Sequence, residues 1–164
     1  MTTLRRVETP GDRAAFAALV REYVRSLPFP LDFQDVEEEL SGLDEEYGPP
    51  AGAAILAVVG DEPVGCVGLR GFEPPAVAEL KRMYVRPGAR GAGAGRALAS
   101  AALEAARQLG YSSVRLDTVA ELVEAARIYT ELGFVEIGPY RHNPLPTARF
   151  YEVTLTRQET ALEP

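Results

Sequence analysis

The chain has 164 residues, 46% of them apolar, with one cysteine, one histidine and a net charge of −7. That length suits a single domain over 1–164, and that apolar share can build a core, which argues against a disordered chain. Cys66 alone forms neither an internal disulfide nor a cysteine metal cluster, His142 alone no multi-histidine site, and the negative balance disfavours nucleic acid. No metal is therefore expected. The apolar runs are far shorter than a membrane span, and the N-terminal residues lack the apolar region of a signal peptide. The expectation is a soluble cytoplasmic protein, monomeric or a homodimer.

Leu4 to Val7 reads as a short strand. Thr9-Pro10-Gly11-Asp12 starts a helix, with Thr9 as N-cap and proline at the first helical position. Phe16, Leu19, Val20, Tyr23 and Leu27 follow at helical spacing, and Pro28 and Pro30 end it near Ser26. Asp32 caps a second helix with Phe33, Val36 and Leu40 as its apolar stripe and Gly42 as its stop. Residues 44–52 read as a loop. Ala53 to Val59 and Val64 to Arg70 form an antiparallel hairpin, with Cys66 a small buried residue. A third strand, Val77 to Val85, leads into a glycine-rich loop. Leu98, Ala102, Ala105 and Leu109 then mark a helix stopped by Gly110. Ser113 to Asp117 is a strand, Glu121 to Leu132 a helix, Phe134 to Ile137 a short strand, Tyr140 to Thr147 a proline-punctuated loop and Ala148 to Leu155 a last strand. The last nine residues read as frayed. The order β-α-α-β-β-β-α-β-α-β-β combines early antiparallel pairing with one parallel crossover, giving an α/β fold with a mixed, mostly antiparallel central sheet and helices on both faces.

Charge is uneven along this chain. Asp32 to Glu46 holds eight acids and no base, whereas Leu80 to Arg96 holds five bases and no acid. The acidic run is either a solvated helix face or an attractor for a cationic amine. The basic island coincides with the glycine loop, where a strand, flexible backbone and a helix N-terminus form an anion-binding construction. The loop lacks the Lys-Ser/Thr of a nucleotide-triphosphate loop. It also lacks the third glycine of a dinucleotide fold, since that place falls on Arg96 or Leu98.

What remains is Arg90-x-x-Gly93-x-Gly95, preceded by Glu79-Leu-Lys-Arg-Met-Tyr-Val85 and followed by Ala125-Ala-Arg-Ile-Tyr129-Thr-Glu-Leu-Gly-Phe134. These three motifs in register resemble the GNAT superfamily of N-acetyltransferases over about 75–155. The Asp32–Asp35, Tyr47–Pro50 and Asn143–Pro146 segments are similar to those of a bacterial group within it.

The resemblance implies acetyl-CoA as cosubstrate and a primary amine as acceptor without identifying it; the long Tyr140–Thr147 loop, by narrowing the cleft, favours a small molecule. Met83 and Val85 would meet the pantetheine arm, and a backbone N–H near Tyr84 or Val85, freed by a bulge, would polarise the thioester carbonyl. Arg90, Gly91, Ala92, Gly93, Ala94, Gly95 and Arg96 would hold the pyrophosphate, with Thr118 facing the cofactor cleft or serving a turn. Tyr129 would be the acid for the leaving thiolate. Glu79 would be the base for the amine, directly or through water, unless it is ion-paired with Lys81. Tyr47, Tyr140, His142 and Asn143, with Arg141, lie on loops that would border the acceptor. Many members carry an asparagine where this chain has Leu122. Two other functions stay open: a non-catalytic acyl-CoA sensor, and a protein lysine or N-terminal acetyltransferase.

Overall fold

The computed structural model describes residues 1–156, except for the side chains of Phe33 and Gln34. The expected apolar contact of Phe33 and the frayed end at 157–164 therefore lie outside the described residues. The elements are β1 (Thr2–Arg6), α1 (Pro10–Ser26), α2 (Phe33–Ser41), α3 (Leu43–Tyr47), β2 (Ala53–Val59), β3 (Glu62–Glu73), β4 (Val77–Val85), a 3₁₀ turn (Pro87–Ala89), α4 (Ala94–Gln108), β5 (Ser113–Val119), α5 (Val123–Glu131), β6 (Val135–Ile137) and β7 (Ala148–Thr154). They build a seven-stranded sheet in the order β1-β2-β3-β4-β5-β7-β6. β4 and β5 are parallel, and all other neighbours are antiparallel.

The start of α1 shows how local chemistry sets an element. Thr9 Oγ1 accepts from the Asp12 N–H at 3.0 Å, while the Asp12 carboxylate accepts from the Thr9 N–H at 3.2 Å. This reciprocal capping box satisfies donors that a helix start leaves unpaired. The backbone N–H groups of Glu8 and Thr9, with the Arg5 guanidinium, hold the Asp12 carboxyl below its usual range against the opposing effect of burial. The expected loop at 44–52 begins instead with a helical turn, α3. Leu43 and Tyr47 are buried there, so apolar burial extends helical structure past Gly42.

The sheet separates two apolar layers. β2 is buried along nearly its whole length, and its residues alternate between them. Ala53, Ile55 and Ala57 pack with Leu98, Ala102 and Leu103 of α4, whereas Ala54, Leu56 and Val58 pack with Phe16, Leu19 and Val20 of α1. A strand covered on both faces reads as a continuous apolar run for this reason. The small Ala99, Ala102, Ala105 and Ala106 let α4 lie close against the sheet.

Candidate active site

The site begins with an irregularity in β4. Cys66 pairs with Tyr84, but Gly68 pairs with Lys81, so β4 carries one extra residue against β3. Arg82 supplies the kink, with φ at +59°, a left-handed conformation rare for a residue with a Cβ. The extra residue inverts the side-chain alternation. Ala78 and Leu80 pack on the α4 layer before the bulge. After it, Met83 and Val85 pack on that same layer while Tyr84 turns to the α1 layer. The bulge thus lies at Arg82–Met83, just ahead of the expected Tyr84–Val85. Tyr84's side chain packs against Tyr23 on the opposite layer from Met83 and Val85, with ring centroids 5.8 Å apart.

β4 and β5 pair only from Val77↔Ser113 to Glu79↔Arg115. Beyond that the strands part, and their separation opens a cleft. Lys81, Arg82, Met83, Asp117, Thr118 and Tyr129 line it, with Tyr23, Leu122, Ala125 and Asn143 among its other walls. Leu27, Phe29, Leu31 and Leu145 add an apolar rim from two loops.

The glycine loop stands next to this cleft at the start of α4. Gly91 and Gly93 have φ of +91° and +84°, and a Cβ on Gly88, Gly91 or Gly93 would meet nothing within 4 Å. The backbone of this loop therefore borders open space. The N-cap of α4 is Gly93, which offers no side-chain acceptor. Ala94, Gly95 and Arg96 thus present N–H groups that the helix itself does not use. Open glycine backbone leading into free helix donors fits the pyrophosphate of acetyl-CoA. Gly95 also serves packing, because a Cβ there would stand 3.1 Å from Ile128 Cδ1 of α5. Arg90 Nε donates to the Val85 carbonyl at 2.8 Å, and Arg96 pairs with Glu131 at 2.5 Å in an exposed ion pair. Both guanidiniums lie beside the loop, each with a partner in the chain.

Tyr129 is 5% exposed and packs edge-on to Phe134 at 5.5 Å. Its hydroxyl makes no hydrogen bond with another described residue. Burial, reinforced by Tyr23 and Asp117, pushes the phenol far above its usual pKa, so it carries its proton at neutral pH. Across the cleft, Lys81 Nζ lies 3.7 Å from Asp117 Oδ1, and Asn143 Nδ2 donates to Asp117 Oδ2 at 3.0 Å. Asn143 Oδ1 accepts from the Leu145 N–H at 3.0 Å, which fixes the loop and the carboxylate together.

Glu79 is placed differently from the expected base. It is 0% exposed. Arg70 donates twice to Oε1, at 2.9 and 2.8 Å, the Tyr140 hydroxyl donates to Oε2 at 2.6 Å, and Arg141 reaches both oxygens at 3.1 and 3.0 Å. Burial works to raise its pKa, but Lys81, the Tyr140 hydrogen bond, Arg70 and Arg141 together hold it below the usual carboxylate range. Both oxygens of this buried carboxylate are thus occupied within the chain, an anchoring arrangement rather than the open base expected from the sequence. Its ion-pair partners are Arg70 and Arg141, whereas Lys81 pairs with Asp117.

The loop residues divide. Asn143 lines the cleft, as Thr118 does on β5. Tyr140 is instead wedged between Phe72 and Phe150, at 5.1 and 5.5 Å, and buttresses Glu79. His142 is exposed and outside the cleft lining. Tyr47 is corrected outright: it is 1% exposed, packs on Phe16 and fills the space above Gly68, where a Cβ would stand 2.7 Å from its ring. Half of the acidic run is ion-paired, since Glu37, Glu39, Asp44 and Glu46 pair with Arg21, Arg82, Arg13 and Arg70. The apolar rim at 27–31 was the feature that sequence patterning missed. Its signal was a proline-punctuated loop with a large apolar residue at every other position, Leu27-Pro-Phe29-Pro-Leu31.

The family model described as "Acetyltransferase (GNAT) family" matches residues 16–134. An uncharacterised N-acetyltransferase of Schizosaccharomyces pombe is 38% identical over 154 residues, covering 92% of this chain and 93% of the relative. The N-acetylaspartate synthetase of Xenopus tropicalis is 36% identical over 109 residues, covering 66% of this chain but only 40% of that longer protein. A Salmonella typhimurium acetyltransferase solved with its cofactor acetyl-CoA superposes with a TM-score of 0.71 at 17% identity, covering 96% of each chain. The sheet splays at a cleft lined by Tyr129, with the glycine loop and its helix start beside it, and the chain belongs to the GNAT family and is an acetyl-CoA-dependent N-acyltransferase.

Proposed function

We propose that the chain transfers an acetyl group from acetyl-CoA to the primary amine of a small molecule, with Tyr129 as acid and Asp117 in the proton-accepting role first given to Glu79. The carrying observation is that the Tyr129 hydroxyl, free of internal partners, and the Asp117 carboxylate line one cleft where β4 and β5 part. Bound acetyl-CoA supplies an acetyl thioester. Backbone donors of the bulged Arg82–Val85 segment polarise its carbonyl, and the loop at 90–96 holds the pyrophosphate. The attacking amine forms the N–C bond as the C–S bond breaks. Asp117, directly or through one water, takes the proton the amine loses, and Tyr129 supplies a proton to the departing sulfur. Cys66 is unsuited to carry the acyl group, because it is 0% exposed and burial drives its thiol pKa up.

The two loops that narrow the cleft, at 27–31 and 143–145, support a small acceptor. The relative named N-acetylaspartate synthetase also has, by its name, a small product. The test is free CoA release across a broad panel of amines. At least one small amine should be turned over, and Asp117→Asn should lower kcat about 10²-fold or more. Acetyl-CoA binding without turnover of any amine would favour a sensor. An unchanged kcat in the variant would remove Asp117 from proton transfer.

A further inference from the structure

Lys81 is unusual among the charged groups of the cleft. Its side chain is only 15% exposed, yet Nζ donates no hydrogen bond to another described residue. Its ion-pair partner among the described residues, Asp117 Oδ1, is 3.7 Å away, outside good hydrogen-bond range. The other cations near it are engaged. Arg82 makes two bonds to Glu39 at 3.0 and 3.1 Å, and Arg141 and Arg70 are committed to Glu79. An ammonium has three donors, and those of Lys81 keep some contact with solvent at the cleft while finding no hydrogen-bond acceptor among the described residues. Burial accordingly presses the Lys81 pKa downward, with Asp117 and Glu79 opposing. Asp117 is complementary: one oxygen is held by Asn143, and the other faces Lys81 across a gap.

We infer that Lys81 and Asp117 form a paired subsite for an α-amino acid, Lys81 taking the carboxylate of the acceptor and Asp117 its amine. The inference rests on the proposed acetyl transfer to a small amine. A cation and an anion paired too loosely to hydrogen-bond each other match the opposite charges on the two adjacent groups of a free amino acid. Inserting that pair gives Lys81 the acceptor it lacks and points the amine at the carboxylate that receives its proton. The apolar rim of Leu27, Phe29, Leu31 and Leu145 then faces the amino-acid side chain.

Two measurements test this. The first compares turnover of a panel of α-amino acids with that of the amines lacking only the carboxyl group, such as leucine against isoamylamine. The second measures, by calorimetry on the CoA-saturated protein, binding of the N-acetyl amino acids against the matching N-acetyl amines. Wild-type protein should prefer the carboxylated member of at least one pair in both. Lys81→Gln should raise KM for that amino acid roughly ten- to a hundredfold, as loss of a charge-assisted bond predicts. Because Lys81 also faces the Asp117 carboxylate, any change in kcat should be shared by both acceptors, so the diagnostic is loss of the preference for the carboxylated member, and Lys81→Arg should recover much of that preference. Equal binding of every matched product pair overturns the inference, whether or not turnover is seen. So does a Lys81→Gln variant, folded by its thermal melt, that keeps the wild-type preference for the carboxylated acceptor. Turnover of carboxyl-free amines alone overturns it while leaving acetyl transfer standing, whereas no turnover of any amine defeats the transfer itself.

Discussion

The Tyr129 side chain is largely buried, but its hydroxyl keeps contact with the cleft and has no hydrogen-bond partner among the described residues. A phenol that burial keeps protonated, at the edge of a cleft lined by Asp117, is placed to give its proton to a departing sulfur. Tyr129→Phe keeps the ring contacts with Phe134 and Tyr151. It should therefore melt close to wild type and bind acetyl-CoA with little change, while steady-state CoA release shows kcat reduced about 10²-fold or more. An unaltered kcat would remove the acid role. Both Tyr129 and Glu79 stand out in the sequence through their motifs, but their surroundings separate them. One keeps its polar atom unengaged, and the other has both oxygens occupied.

At the scale of elements, the start of α4 and the start of α1 follow opposite logics. Thr9 and Asp12 close off the first turn of α1 with their own side chains, whereas Gly93 leaves the first turn of α4 open. Thr9→Ala should cost about 1 kcal/mol in urea denaturation. The Asp12 carboxyl has its pKa lowered by folding, so its contribution is present above the unfolded pKa and is lost as pH falls through the folded one. Stability of wild type should therefore drop on acidification below about pH 4, and Asp12→Ala should flatten part of that drop. Gly93→Ala tests the other logic. At φ +84° a Cβ meets no protein atom, so the penalty comes from the left-handed backbone, about 1–2 kcal/mol, and from crowding of the anion. The expected result is a raised KM for acetyl-CoA with kcat nearly kept, read by initial rates at saturating acceptor.

Across the whole molecule, Glu79 ties together parts that are distant in sequence. Arg70 comes from β3 and also pairs with Glu46 of α3, while Tyr140 and Arg141 come from the loop before β7. Removing the charge leaves two guanidiniums facing a neutral amide in a closed site, and breaking such a buried pair costs roughly 3–5 kcal/mol. Glu79→Gln should thus lower the urea midpoint strongly and loosen the 140–147 loop. Any loss of rate should follow from that loosening and should shrink when the variant is assayed well below its melting temperature. A fall in kcat with no change in stability would return Glu79 to the chemistry.

Much of this protein was determined by local pattern. The strands at 53–59 and 77–85, the capped start of α1, the glycine loop and the Tyr129 helix follow from apolar periodicity, capping chemistry and backbone freedom, which act over a few residues and leave a trace in the order of side chains. Tertiary structure alone decided what those residues meet. Tyr47 looks like a loop residue until the turn of α3 carries it over Gly68. Glu79 looks available until Arg70 and Arg141 converge on it, and Lys81 looks like its partner until the bulge at Arg82 and the parting of β4 from β5 turn it toward Asp117. Those contacts join residues up to 62 positions apart. Burial and charge compensation between such distant groups are properties of the packed chain, and no short stretch of sequence encodes them.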